Sequence, residues 1–227
     1  MNRRNFIKTI PAITLLASTK FSFSKNLKPI NLLPPKKNGG LSVLASLQER
    51  KTNRNISPKK LDPQTLSNLL WAAFGVNRTK GAFNKSGRTA ASASNSQEID
   101  LYIAMEEGVY LYDAVPHRLI PVVRGDFRAL AGRRSAVKAP INIFYVVDKT
   151  RYILADWQPD KKIKDPEVQK SYYYVDTGLI AQNVYLFAAS QNLAAWFHNC
   201  NKKQTAKDFK LGPEQQVLFA QTVGYPA

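Results

Sequence analysis

A guanidinium fork beside a hydroxyl suits a phosphate, and the sequence offers that combination at Arg50-Lys51-Thr52-Asn53-Arg54. The two arginines and the lysine bring charge-assisted donors, and Thr52 adds a neutral one. As a bare charge run the segment is equally a solvated face. A second run, Arg88-Thr89-Ala90-Ala91-Ser92-Ala93-Ser94-Asn95-Ser96-Gln97, is made of small residues and closes on two amides. Small side chains let backbone approach a flat ring, while Asn95 and Gln97 can donate and accept along a pyrimidine edge. By composition it is also a flexible serine-rich loop. A third stretch, from Asp176 through Gln182-Asn183 to Asn192-Leu193-Ala194-Ala195-Trp196, reads by itself only as a core helix followed by a strand.

The remaining composition removes the common protein-only chemistries. Cys200 is alone, so there is no disulfide framework, and His117 and His198 stand apart without a cysteine or histidine cluster that would suggest zinc. No Gly-x-Ser-x-Gly element is present for Ser-His-Asp hydrolysis. A bound cofactor is therefore the expected carrier of any reaction, with no metal and no assigned side-chain catalyst. Lysine and arginine total 33 against 16 acidic residues, and the formal charge of +17 favours anionic partners. Much of that charge lies in scattered pairs such as Lys36-Lys37, Lys59-Lys60, Lys161-Lys162 and Lys202-Lys203, which solvate a surface. Neither zinc-finger spacing nor a base-reading basic helix accompanies it, so nucleic acid is not the expected partner.

A chain of 227 residues, 44% of them hydrophobic, is long enough for one domain with a substantial core. Leu41, Leu44, Ala45 and Leu47 have helical spacing, in a helix that runs out near Arg50 to Asn55. Asp62 as N-cap, Pro63 in the first turn, the face Leu66, Leu69, Leu70, Ala73 and Phe74, and Gly75 as C-cap predict a second helix. Thr79 to Asn95 reads as a loop. Ile99 to Met105, Val109 to Tyr112 and Leu119 to Val123 predict an antiparallel meander. Pro140 opens a central strand over Ile141 to Val147. Asp156 to Lys170 is charged and punctuated by proline, a surface excursion. Val175 to Ala189 is apolar almost all round, which predicts a helix buried on every side in a core or a subunit interface. Gln215 to Val223 closes the chain as a strand. Helices mixed with mostly antiparallel strands give an α+β fold.

In their order and spacing the three chemical segments resemble the flavin-dependent nitroreductase family. Arg50-x-Thr52-x-Arg54 resembles its Arg-x-Ser-x-Arg/Lys phosphate element, and Ala91-Ser92-Ala93-Ser94-Asn95-Ser96-Gln97 resembles its Pro-Ser-Ser-x-Asn-x-Gln flavin loop. The helix through Gln182-Asn183 resembles the long central helix ahead of the family's Gly-Leu-Gly stretch. Leu69 to Arg78 and Gly108 to Asp113 further resemble the branch containing azoline-oxidising dehydrogenases. The resemblance covers residues 41–226. It implies a central, mostly antiparallel sheet flanked by helices, and a homodimer with FMN at its interface. That cofactor would shuttle hydride between NAD(P)H and a nitro, quinone-like or other small organic substrate. Carried over by position, Arg50, Lys51, Thr52 and Arg54 would hold the phosphate and ribityl chain. Ser92, Ala93, Ser94, Asn95 and Gln97 would line the flavin, some reaching the partner subunit's cofactor, and Leu193 and Ala194 would lie beside the ring. Departures are Ala91 for proline, Asn192 and Ala194 for the two glycines, and Ala227 where a basic residue is expected. A flavin-poor binding module on the same fold is the alternative these departures leave open.

At the chain start, Arg3-Arg4-x-Phe6-Ile7-Lys8 precedes an apolar stretch, Thr9 to Ala17, that is shorter than the roughly 20 residues a bilayer span needs. The run resembles a twin-arginine export signal, which implies a periplasmic protein exported already folded, with no stable membrane insertion. The expected organisation is an export signal over 1–30, a linker over 31–40 containing Pro34, Pro35, Gly39 and Gly40, and the folded domain over 41–227.

Overall fold

The computed structural model describes residues 27–132, 134–153 and 165–227. The candidate signal in residues 1–26 and the middle of the predicted excursion, 154–164, lie outside the described residues.

Seven antiparallel strands form one sheet in the order β1-β6-β5-β4-β7-β9-β8. They are β1 (Ile30–Asn31), β4 (Ile99–Ala104), β5 (Gly108–Asp113), β6 (Arg118–Arg124), β7 (Ile141–Asp148), β8 (Ala194–His198) and β9 (Gln215–Gly224). The predicted meander is β4-β5-β6. Strand β7 lies between β4 and β9, and its side chains alternate between two cores as the pleat requires. Ile143, Tyr145 and Val147 join one core, and Phe144 and Val146 the other. The first core is covered by helices α2 (Pro63–Phe74) and α4 (Pro166–Ser190), the second by α5 (Lys202–Asp208) and two 3-10 turns. The architecture is α+β, as the periodicity predicts.

Helix α2 forms where expected: Asp62 accepts from the Thr65 N–H at 2.9 Å, Pro63 opens the first turn, and Gly75 closes the last. Its buried face is Ser67, Leu69, Leu70, Ala73 and Phe74. The segment predicted as a linker is extended and lies along this helix. Leu33 and Pro34 carbonyls accept from Ser67 and Gln64, and Lys36 N–H donates to Asn68. Leu27 and Ile30 already pack on the core, and β1 spans the boundary expected at residue 30.

Four expectations are corrected. Helix α4 starts at Pro166, capped by Asp165, so Pro166 to Lys170 are its first turns and not part of a surface excursion. Nor is α4 buried on every side. Residues Tyr173, Asp176, Thr177, Ile180, Ala181, Val184 and Ala188 are buried, but Tyr172, Val175 and Leu179 are 37%, 59% and 44% exposed. A 25-residue helix lying across one sheet presents only one face to it, and no described element covers the other. Helix α1 (Val43–Glu49) buries only Ser46, its small contact with α4, while Leu41, Val43, Leu44 and Leu47 are exposed. Finally, the loop over Thr79 to Asn95 contains β3 (Gly87–Arg88), which pairs with β2 (Val76–Arg78). Among the described residues no helix is long and apolar enough to cross a membrane.

Candidate cofactor site

Strand β8 is an edge of the sheet, so every second N–H and C=O points away from β9 and needs a partner. The basic segment supplies one and α4 the other. Asn53 N–H donates to the Ala195 carbonyl at 2.9 Å, and Phe197 N–H donates to the Tyr185 hydroxyl at 2.8 Å. Beyond Asn53 the chain is pinned to the C-terminal residues: Ser57 N–H donates to Tyr225, and Ala227 N–H donates to Asn55. The predicted phosphate element is thus docked on the sheet edge rather than loose.

Three cations lie along this segment. The Arg50 guanidinium lies 5.6 Å from the Tyr185 ring centroid and Arg54 lies 5.4 Å from that of Trp196, both within cation–π range. Lys51 is exposed beside them. Among the described residues none of the three forms an ion pair with a carboxylate. Thr52 Oγ1 is 3.0 Å from the Tyr185 hydroxyl. A cleft of about 710 Å³ opens at this point, lined by Glu49, Lys51, Asn53, Tyr185, Asn192 and Leu193 among others. Asn192 holds a left-handed φ of +51°, a conformation that asparagine tolerates better than most residues with a side chain. One of the missing glycines is therefore replaced by a residue that keeps a glycine-like backbone. Ala194, at the other, is buried against Ile56 and Ala139.

The second candidate segment folds on itself. Ser94, Asn95 and Gln97 have φ of 52°, 52° and 54°, a strained run that persists only where other contacts fix it. Ser92 Oγ accepts from Gln97 N–H at 3.0 Å, and Asn95 Nδ2 donates to the Ala82 carbonyl at 2.9 Å. Gln97 Nε2 donates to Ser86 and Asn95, while its Oε1 accepts from Arg88 Nε at 2.7 Å. Arg151 donates to the Gln97 carbonyl. Ala93 N–H donates to Asp176 Oδ2 at 2.9 Å, anchoring the loop to α4. Burial, with Glu98 alongside, pushes the Asp176 carboxyl up to about 8. Glu98 Oε1 is buried without a hydrogen-bond partner among the described residues.

Lys51 and Leu193 line the cleft near the C-terminal end of α4, Arg50 and Thr52 lie against Tyr185 of the same lining, Arg54 sits apart over Trp196 on the other face of the sheet, and Ala194 is buried. Ser92, Ala93, Ser94, Asn95 and Gln97 are not brought to them within the chain. Their anchor, Asp176, precedes Ala188 of the cleft by three turns of helix, about 18 Å at 1.5 Å per residue. Sequence reasoning quoted Asp176 and Tyr185 without giving them a role, and passed over Glu98. The available signal was a carboxylate and a phenol inside an otherwise apolar helix. Among the described residues no group of three His, Cys, Asp or Glu side chains is placed to hold a metal.

A model of the nitroreductase family matches residues 47–225. The chain belongs to the nitroreductase family. A crystal structure of a nitroreductase-named protein from Ralstonia eutropha superposes with a TM-score of 0.77 at 30% identity, covering 90% of this chain and 92% of that one. A Methanocaldococcus jannaschii protein named as a nitroreductase is 26% identical over 154 residues, 65% of this chain and 73% of its own length. At the level of fold alone, the NADPH:FMN oxidoreductase of Vibrio harveyi in complex with NAD+ matches with a TM-score of 0.57 at 18% identity, covering 81% and 68%. Family membership makes oxidoreductase chemistry the general function of this nitroreductase chain, and it gives the docked basic segment a setting in which a phosphate-bearing cofactor is to be expected.

Proposed function

We propose that the protein is an FMN-dependent oxidoreductase that works as a homodimer, moving hydride between NAD(P)H and a nitro, quinone-like or other small organic substrate. The observation that carries this reading is a pair of cations without carboxylate ion-pair partners at the cleft, Lys51 in its wall and Arg50 over the Tyr185 ring, with Leu193 and the left-handed Asn192 in the same wall. This donor set fits a phosphate monoester, and the aliphatic wall fits the edge of a flat ring. When bound, FMN supplies the hydride-carrying chemistry, so no side-chain acid or base is obligatory. Arg50, Lys51 and Arg54 bind the phosphate, Thr52 orients it, and Leu193 with the backbone at Asn192 and Ala194 limits water at the ring. The loop of Ser92, Ala93, Ser94, Asn95 and Gln97 is too far along α4 to serve the same chain's cleft, which supports its contacting the partner subunit's flavin across a two-fold axis. The exposed face of Tyr172, Val175 and Leu179 supports that dimer.

A second reading, a binding module with little or no flavin, is favoured by one observation. The hydrogen-bonding groups of Ser92, Asn95 and Gln97 are engaged inside their own loop. Reconstitution separates the two: purified protein incubated with FMN and desalted should be yellow and oxidise NADH or NADPH with a quinone or nitro acceptor. Colourless, inactive protein after reconstitution would sink the enzyme reading. We also propose periplasmic export by the twin-arginine route, resting on Arg3-Arg4-x-Phe6-Ile7-Lys8. Replacing both arginines by lysine should abolish periplasmic accumulation, and unchanged accumulation would reject the route.

A further inference from the structure

The Tyr185 hydroxyl sits between one obligate donor and one ambivalent group. Phe197 N–H can only donate, so at 2.8 Å the phenol oxygen accepts from it. The phenol's own proton then needs an acceptor, and among the described residues the one within hydrogen-bond distance is Thr52 Oγ1, 3.0 Å away. With Tyr185 donating to Thr52, the bonds Phe197 N–H to Tyr185 to Thr52 form a chain that points one way. Its end is a threonine hydroxyl that already accepts one bond and keeps its own proton for an acceptor outside the protein.

What surrounds that proton identifies the acceptor. Thr52 is exposed, stands between Lys51 and Asn53, and has Arg50 over the same Tyr185 ring at 5.6 Å. Arg50 and Lys51, neither in an ion pair, outnumber the one carboxylate of the cleft lining, Glu49, so the net local charge is positive and favours an oxyanion. We propose that Tyr185 is the positioning residue of the anion subsite: it sets the Thr52 hydroxyl as a donor, so that the site discriminates for a phosphate oxygen. Had the bond run the other way, Thr52 would present only lone pairs to an anion and would repel it. This inference rests on the cofactor reading above and gives it a direction that a cluster of cations alone does not have.

Tyr185→Phe keeps the ring beneath Arg50 but also strands the Phe197 N–H, so its melting temperature is read beside the titration. Thr52→Val, which leaves Phe197 paired, isolates the Thr52 end of the relay. The test titrates wild type, Tyr185→Phe, Thr52→Val and the double variant with FMN, with riboflavin and with inorganic phosphate. Each single variant is expected to weaken FMN and phosphate about tenfold, the size of one charge-assisted hydrogen bond, and to leave riboflavin unchanged. The double variant should be no worse than Thr52→Val, because both substitutions break one chain. Equal losses for FMN and riboflavin, or additive losses in the double variant, would reduce Tyr185 to a packing residue and overturn the relay. Wild type that binds phosphate but not FMN, with the cycle intact, keeps the relay and overturns the cofactor assignment. Wild type that binds neither ligand overturns both.

Discussion

Asp176 accepts the backbone N–H of Ala93 at 2.9 Å while lying 4% exposed beside Glu98, itself fully buried, so one protonated acid holds a strained loop against the middle of the sheet. With its carboxyl pushed up to about 8, the folded chain binds a proton that an unfolded one releases above the ordinary carboxylate range. The contribution is complete at about pH 4 and declines as pH rises until the folded group titrates near 8. Amide exchange over Ala93 to Gln97 should therefore accelerate between pH 6 and 9 more than exchange in β7 does. Exchange that rises equally in both places would show that Asp176 does not control the loop.

Asp176→Ala should lower stability by about 1–3 kcal/mol, since it removes the acceptor of the part-buried Ala93 N–H. Asp176→Asn keeps a donor and an acceptor, and should lose less while flattening the pH dependence. Thermal denaturation at pH 5 and pH 8.5 measures both. A variant with the wild-type slope would place the titrating group elsewhere.

Arg50→Ala should weaken FMN by about 1.5–3 kcal/mol, roughly 10- to 150-fold, by removing a charge-assisted donor. Arg50→Lys should recover only part of this, because a point charge lacks the planar fork. Fluorescence quenching of FMN gives the constants, and an unchanged titration for Arg50→Ala removes it from the site.

Leu179→Glu places a charge on the exposed face of α4, where the isolated fold tolerates it. If that face is the subunit interface, the dimer should dissociate at least about 100-fold more readily, and flavin should be lost with it. Light scattering at micromolar concentration decides: a dimeric, yellow Leu179→Glu protein would move the interface to another surface. Leu186, which the periodicity alone suggests as a probe, is half-buried and would confuse unfolding with dissociation.

Asn192→Gly should leave stability within about 0.5 kcal/mol of wild type and keep or tighten FMN, because it preserves the left-handed backbone and clears the cleft wall. Asn192→Val should cost about 1–2 kcal/mol, the penalty of a β-branched side chain in that region. Melting temperatures and FMN titrations check the pair, and equal behaviour of the two variants would contradict the backbone argument.

Local chemistry made much of this legible. The cap at Asp62, the breaker at Gly75 and the alternation in Ile141 to Val147 each act within a few residues, so α2 and β7 appear where their residues dictate. The failures are tertiary. Hydropathy cannot tell whether an apolar face meets the same chain or another, so α4 looked buried all round while Val175 and Leu179 face outward. Helical spacing on α1 does not say which way its leucines face, and Leu44 is 78% exposed. The candidate site divides along the same line. Arg50, Thr52 and Arg54 are readable as a motif, but the partners of Tyr185 come from a strand and a loop that meet its helix only after folding.

The segment docked on β8 has a second office that binding studies would miss. A seven-stranded open sheet offers two rows of unpaired backbone groups through which copies could add strand to strand. One row is shortened by the two-residue β1, and the other is occupied by Asn53 and Tyr185. Substitutions that loosen residues 50–55 would thus bare an aggregation-prone edge, and the protection afforded to the sheet would fall together with the affinity of the site.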